Sequence, residues 1–482
     1  MSKLFIGRQS ELQRLEDLLS SGRASLVAIK GRRRIGKSRL AQEFGRGKIY
    51  LPFSGIPPVD GVSAQDQRDV FARQLAHHFQ LPPMTFTDWS DAFAHLSRYL
   101  TNEPTVLLFD EISWMGSKDP TFIPKLKNWW DLVLQNQSHL IWILCGSIST
   151  WIDENIINST AFFGRISLYL ELRELSLSLS YEMLNNIGFK GSERDVYKIL
   201  SLTGGVPWYL EQIQRNQSAD ENIKRLAFIR GGVLVDEFNR IFHDLFSSRG
   251  EIFKKIVHVL AKKSCDRNEI RQSTHYSKSG SLSTHLSTLE TSGYINKDPI
   301  WSFKTGKAGK KSLYRLSDNY LRFYLRSIEP NLSKIAKDAF VDAPISSLPA
   351  WESIMGLQIE TLLLNNRSRF YKALGIYPQD IVADGPYQQK ANTKHKGCQI
   401  DYLVQTRMNT LYACEIKVQT KSLGVEVIDE MVKKFEALSL PKGFGFCPVL
   451  LYLGPISDVL QSQNYFYRMI DIADFLQKTS QK

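Results

Sequence analysis

The sequence predicts a multidomain α/β protein: a parallel sheet bearing a phosphate-binding loop, a small helical lid, a winged helix-turn-helix, and a second α/β domain at the C-terminal end. Three observations carry this expectation. Short apolar runs alternate with amphipathic stretches over the first 170 or so residues. A Gly-x-x-x-x-Gly-Lys-Ser pattern occupies residues 31–38. Near the other end, an Asp and a Glu-x-Lys stand on neighbouring apolar runs, at Asp401, Glu415 and Lys417.

The composition bounds the answer first. A chain of 482 residues holds three or four domains at roughly 100–200 residues each. With 43% hydrophobic and 23% charged residues it is globular, which excludes collagen-like and largely disordered chains. The net charge is +12, and residues 240–339 hold 19 basic and 9 acidic residues, nearly all of the excess. That balance allows a polyanion partner without proving one, and this one segment must be explained separately. Five cysteines without a Cys-x-x-Cys pair fit free thiols rather than a disulfide framework or a structural zinc site. Cys145 and Cys414 lie in apolar runs and are expected in the core. No run reaches the roughly 20 apolar residues that span a bilayer, and the N-terminal residues lack a signal core. A soluble, cytoplasmic protein without a membrane partner is expected.

The runs 25–30, 48–53, 105–110, 140–145 and 167–172 read as buried strands, with helices such as 38–44 and 66–79 between them. That alternation implies a parallel sheet covered on both faces. The Gly-rich loop follows the first strand and opens a helix, the context that gives the motif its meaning. Gly31, Arg32, Arg33, Arg34, Ile35 and Gly36 form the cradle, and Lys37, Ser38 and Arg39 start the helix. Backbone N–H groups and the helix N-terminus favour phosphate there. Lys37 would reach the β- and γ-phosphates, and Ser38 would ligate Mg²⁺. The three arginines are expected to be solvated, or one of them to touch phosphate or nucleic acid. The strand 105–110 ends in two acids: Asp110 would hold Mg²⁺ and Glu111 would polarise the attacking water. Ser147 would contact the γ-phosphate or that water, or serve as an ordinary cap. Arg165 is either an arginine finger or an ion-paired surface arginine.

Strands cease from Leu175 to about Glu237, where short helices form the expected lid, with Gly204-Gly205 ending one helix and Pro207 opening the next. From Arg249 to about Ile328 two helices precede a third, over 279–293, and a Gly-containing basic hairpin over 294–316. The third helix offers Ser279, Ser281, Ser283, Thr284, His285, Ser287 and Thr288, and the hairpin offers Lys304, Lys307, Lys310 and Lys311. These suit phosphates and base edges; the same module can instead serve protein contacts.

In the last segment a helix over 351–365 precedes the Asp401 and Glu415 strands, and another helix (425–437) follows. Thirteen residues separate the two acids, enough for a hairpin that sets them side by side. Glu415 and Lys417, two apart on a strand, face one side. This is the PD-(D/E)XK arrangement, in which two acids bind Mg²⁺ and a lysine orients or activates water. Glu360 on the preceding helix could complete the metal shell, and Asp380 and Asp384 are further acids placed in a loop. A plain surface ion pair is the alternative.

Taken together, FIGRQSELQRLEDLL, GRRRIGKS, LLFDE, LCGS, GR and TGGVPWYL resemble archaeal- and bacterial-type AAA+/STAND-related P-loop ATPases, over about half the chain. The resemblance implies an ASCE-type sheet, Mg-ATP rather than GTP, an adenine pocket near Gly7 and Arg8, and a lid containing Pro207. STAND-type members use ATP as a slow switch. The last segment resembles the uncharacterised C-terminal domain of the same family, itself similar to restriction endonucleases, with Ile400 where the motif has Pro. The expected domains are thus 1–173 ATPase core, 174–240 lid, 241–335 winged helix-turn-helix and 345–482 nuclease-like domain. The expected ligands are ATP, Mg²⁺ and DNA, with a possible homo-oligomer. The alternative is an ATP-dependent switch whose last domain only binds DNA or protein.

Overall fold

The computed structural model describes residues 5–147, 149–246, 250–276, 279–391 and 396–477. The chain divides into two compact units: residues 1–174 with 291–293, and residues 175–290 with 294–482.

In the first unit, strands β1 (Ser25–Lys30), β2 (Ile49–Ser54), β3 (Thr105–Asp110), β4 (Leu140–Gly146) and β5 (Ile166–Glu171) form a parallel sheet in the order β2-β3-β4-β1-β5. Each strand lies within a residue of the run that predicts it. The inner strands β1, β3 and β4 are apolar and buried along nearly their whole length because both faces are covered. Leu26, Ala28, Leu107, Phe109, Trp142 and Leu144 pack with Phe71, Trp89, Phe93 and Trp129 on one face. The alternate residues Val27, Ile29, Val106, Leu108, Ile141, Ile143 and Cys145 pack with Leu15, Leu40 and Phe44 on the other. Helix α1 (Lys37–Phe44) follows β1 directly through the Gly-rich loop. Strand β4 stands between β1 and β3, so three consecutive strands present their C-terminal ends along one edge.

The second unit opens with helices Leu177–Ile187, Glu193–Thr203, Pro207–Leu210 and Ala219–Ala227. Ser192 and Asp195 form a capping box at the start of the second. Gly204 (φ 61°) ends it in the left-handed conformation, and Pro207 occupies the first turn of the third. Next come α2 (Gly250–Lys262), β6 (Cys265–Asp266), α3 (Arg267–Ser273), α4 (Ser279–Thr291) and the hairpin β7 (Ile295–Trp301) and β8 (Ala308–Leu316), in an antiparallel sheet ordered β6-β8-β7. Arg249, the expected start of this module, lies outside the described residues.

Helix α5 (Trp351–Asn365) leads into β9 (Ile381–Gln389), β10 (Cys398–Thr406) and β11 (Thr410–Val418), an antiparallel meander. Helix α6 (Glu426–Ala437) then crosses to β12 (Gly445–Leu453), parallel to β11, and β13 (Arg468–Asp471) completes the sheet. α5 is apolar nearly all round, as a helix sunk in a core must be.

The segments 174–240, 241–335 and 345–482, expected as three domains, fall in this one compact unit apart from residues 174 and 291–293. The reason is side-chain sharing. Trp301 and Phe303, at the turn of the β7–β8 hairpin, are buried in a cluster with Ile400, Leu403, Leu411 and Met431 of the last sheet. Gln405 accepts a hydrogen bond from Trp301 Nε1 (2.9 Å) and donates to the Phe303 carbonyl (2.8 Å). Asp298 of β7 is buried between Arg315 (3.2 Å) and Arg367 (2.7 Å). Buried Gln358 of α5 donates to the carbonyls of Ser201 (2.6 Å) and Asn319 (2.7 Å), tying the first helices of the unit to the last domain.

Candidate functional site

The phosphate loop is shaped by what its backbone must do. At Gly31 a Cβ would lie 2.5 Å from the Leu172 carbonyl oxygen, and Gly36 has φ 94° with open space around it. Arg34 takes φ 68° between them. Ile35 anchors the loop in the core. The buried Lys37 ammonium folds back to donate to the carbonyls of Gly31 (2.9 Å) and Arg32 (3.1 Å), so it lies inside the loop it must serve. Ser38 Oγ donates to Asp110 Oδ2 at 2.5 Å, which joins helix α1 to the end of β3. Asp110 Oδ1 accepts from the Glu111 N–H (3.0 Å) and from Cys145 Sγ (3.0 Å). Burial, and then the Asp110 charge, push the Cys145 thiol well up, so it stays a donor. Glu111, at φ 48°, aims Oε2 at Ser147, accepting from its N–H (3.0 Å) and Oγ (2.9 Å).

Lys37, Ser38, Asp110, Glu111 and Ser147 thus converge on one edge of the sheet. The hydroxyl and carboxylate oxygens of Ser38 and Asp110 are hard donors suited to Mg²⁺, and the open Gly36 turn at the α1 N-terminus suits phosphate. These residues fit Mg-ATP.

Other predicted residues distribute differently. Gly7 and Arg8 both have positive φ (73° and 65°). Arg8 donates to the Arg173 carbonyl and lies 3.4 Å from Glu11, and burial lowers its pKa. Arg32 is buried and paired with Glu174 at 3.1 Å; the expectation that it is solvated fails because that carboxylate draws it inward. Arg39 donates to Gln42 (2.9 Å). Pro207 lies in the second unit, at the start of its short helix.

Arg165 stands immediately before β5, which pairs in parallel with β1 from Leu26↔Ile166 to Lys30↔Glu171. It therefore lies at the N-terminal edge of the sheet, while the phosphate loop lies at the C-terminal edge, about 16 Å away at some 3.3 Å per residue. Its guanidinium forms two bonds to Asp131 (2.6 and 2.9 Å). That contact, with Lys127 also close, holds the Asp131 carboxyl at about 2. Arg165 does not reach the phosphate loop of its own chain.

The acids of the last sheet come together by register. Tyr402 pairs with Cys414 in the antiparallel β10–β11 ladder, so the next pair inward is Asp401 and Glu415. Asp401 Oδ2 accepts from the Ile416 N–H (2.9 Å). Burial raises its pKa to about 7, reinforced by the charges of Glu415 and Glu360. Burial also raises Glu360, against the opposing pull of Arg322 and Arg315. Glu415 is buried, with one oxygen 3.1 Å from Lys417 and the other in contact with Lys434. Lys417 also meets Glu430 at 2.6 Å. Burial opposes its charge, yet the bond to Glu430 and the Glu415 charge leave its pKa raised. Among the described residues no group of three or more His, Cys, Asp or Glu side chains is arranged to hold a metal ion, so Glu360 is not drawn into a three-acid shell. Asp401 and Glu415 still offer the oxygen donors that Mg²⁺ takes one or two at a time. Asp384 lies on β9 rather than in a loop, bonded to Arg367 (3.1 Å) and Tyr402 (2.6 Å). Asp380 ends a short 3-10 turn.

Sequence reasoning missed Lys434 and Glu430. They stand four apart on α6, a spacing that puts them on one helix face, and that spacing was the available signal.

The third helix of the central module presents a mixed face. Thr284 and Ser287 are exposed, but His285 is buried against Phe253 and Tyr276. It cannot read bases, because it shares the inward stripe with Leu282, Leu286 and Leu289. Ser283 accepts from Arg267 (2.9 Å), Ser281 meets Tyr276 (3.0 Å) and Thr288 donates to the Thr284 carbonyl (3.0 Å). The side chain of Ser279 lies outside the described residues. Lys304, Lys307, Lys310 and Lys311 are all exposed.

Residues 5–213 match an ATPase domain family found predominantly in Archaea. This segment is a P-loop, ATP-binding ATPase domain. An uncharacterised protein of Methanocaldococcus jannaschii is 25% identical over 344 residues, covering 70% of this chain and 72% of its own. Among solved structures, a Walker-type ATPase of Pyrococcus abyssi is similar at 16% identity and TM-score 0.48, over 67% of this chain and 96% of that one. The Aeropyrum pernix ORC2 protein in its ADPNP–ADP complexes is similar at 15% identity and TM-score 0.43, over 70% and 98%. No helix among the described residues is long and apolar enough to cross a membrane.

Proposed function

We propose that the chain is an AAA+/STAND-type ATPase that binds DNA through a winged helix-turn-helix and hydrolyses phosphodiester bonds at Asp401 and Glu415. The apposition of these two acids on adjacent strands carries the reading. The order helix, three-stranded meander, helix, parallel strand around them supports a restriction-endonuclease-like domain.

Bound Mg²⁺ would neutralise phosphate charge at both sites. In the ATPase domain, Lys37 holds the phosphates, Ser38 and Asp110 face the metal position, and Glu111 takes the proton of the attacking water, held until then by Ser147. In the last domain, Asp401 and Glu415 face the metal position, and a lysine ammonium stabilises the phosphorane charge. Water oxygen bonds to phosphorus, the bond to the leaving oxygen breaks, and the water proton ends on the leaving group. Lys304, Lys307, Lys310 and Lys311 would neutralise DNA phosphates. Arg165 could serve only another copy's phosphates, and exposed Leu132 and Phe163 beside it support a surface that meets such a copy.

A specific observation favours the second reading, a switch with an inactive last domain: both Glu415 oxygens are engaged by lysines. Thermal unfolding of the full chain with Mn²⁺, without nucleotide, separates the two. A rise in melting temperature that Glu415→Ala abolishes supports the metal site. No rise in the wild type leaves the switch.

A further inference from the structure

The Glu-x-Lys motif names Lys417 as the lysine of the last domain's site. The geometry points elsewhere. We infer that Lys434 on α6 is the ammonium that binds the phosphodiester, and that Lys417 is a structural clamp. This rests on the reading of Asp401 and Glu415 as a phosphodiester site.

Two observations carry it. A cavity of about 430 Å³ opens beside Asp401, lined also by Cys398, Gln399, Lys433, Lys434 and Ala437. Lys434 thus stands with Asp401 on the wall a ligand would touch, and Lys433 adds a second cation. Among the described residues lining that cavity, Lys417 is absent. Its ammonium is instead held between Glu415 (3.1 Å) and Glu430 (2.6 Å), joining strand β11 to helix α6. A lysine with two carboxylate partners on two elements is committed to holding those elements together. Among the described residues Lys434 is ion-paired with one carboxylate, Glu415, and a divalent cation at that carboxylate would release the ammonium toward the cavity. A phosphodiester there would meet Lys433, Lys434 and Asp401 on the cavity wall, with buried Glu415 behind Lys434, an arrangement for an anion bridged by a cation.

The test measures affinity of the full chain for a phosphorothioate DNA duplex, in Ca²⁺ and in EDTA. Ca²⁺ takes oxygen ligands in flexible geometry and reports binding without requiring turnover. Wild type should bind more tightly in Ca²⁺. Lys434→Gln should lose that increment, by roughly ten- to hundredfold for one charge-assisted bond to phosphate, and Lys434→Arg should restore part of it. Lys417→Gln, and Glu430→Gln as a variant that loosens the same clamp from its other side, should keep the increment while lowering the melting temperature. An unchanged increment in Lys434→Gln, or one lost in both Lys417→Gln and Glu430→Gln but not in Lys434→Gln, overturns the assignment. Absence of any Ca²⁺ increment in the wild type overturns the phosphodiester reading itself, and the assignment with it.

Discussion

At the scale of single residues, function turns on a few carboxylates and what holds them. Asp110 is fixed by Ser38, the Glu111 N–H and the Cys145 thiol, and Glu111 by Ser147. Glu111→Gln should keep ATP binding but lower turnover by about 10²–10⁴, the usual contribution of a positioned base; single-turnover hydrolysis beside fluorescent-nucleotide binding checks this. Arg165 behaves differently. Its bond holds Asp131 at about 2, below the ordinary value, so the pair's stabilisation is complete above pH 4 and is lost as pH falls toward 2. Both side chains are about a quarter exposed, so solvent screens the pair and its contribution is small. Arg165→Ala should flatten the acid limb of the urea-unfolding profile between pH 4 and 2, with no effect on nucleotide binding by the isolated chain. The place of Arg165 was legible in the sequence: in a parallel sheet a residue preceding a strand and a loop following one lie at opposite edges. His285 was legible too, since 282, 285, 286 and 289 follow the helical stripe. Lys434 was only half legible, because its helix face could be read but not the strand it faces.

At the scale of elements, the β7–β8 hairpin is the least expected feature. Its lysines read as a free basic wing, yet Trp301 and Phe303 are core residues of the last sheet. Two aromatics just ahead of the turn glycine gave no periodic signal, and their partners lie a hundred residues onward, beyond what local pattern reveals. Trp301→Ala should destabilise the second unit by about 3–5 kcal/mol through cavity formation and the lost bond to Gln405, read as an earlier urea midpoint by tryptophan-independent circular dichroism. The lysines on the outer side are a separate matter. Changing Lys304, Lys307, Lys310 and Lys311 to Ala should weaken DNA binding evenly across sequences and reduce the salt slope by about one per lysine that contacts phosphate. An unchanged slope would mean that the polyanion lies elsewhere. By contrast, β1 to β5 and the phosphate loop were legible nearly residue by residue, because continuous apolar runs and a Gly-rich loop are local signals.

At the scale of the whole molecule, the chain combines a nucleotide-binding unit with a second compact unit that holds helices, basic module and acid-bearing sheet together. The localised charge of residues 240–339 and the acid pair at Asp401 and Glu415 thus belong largely to one body, which is the arrangement the proposed DNA-directed function requires. Register made the acid pair foreseeable from the thirteen-residue spacing, whereas the engagement of both Glu415 oxygens by lysines was not. That engagement sets the question of catalysis against that of a silent fold. The most direct measurement is cleavage of supercoiled DNA in Mg²⁺ or Mn²⁺, with and without ATP, by the wild type, Glu415→Ala and Lys37→Ala. The account expects nicking or linearisation by the wild type, its loss in Glu415→Ala, and its loss or ATP-insensitivity in Lys37→Ala. Intact DNA under every condition, with ATP still bound, would contradict it.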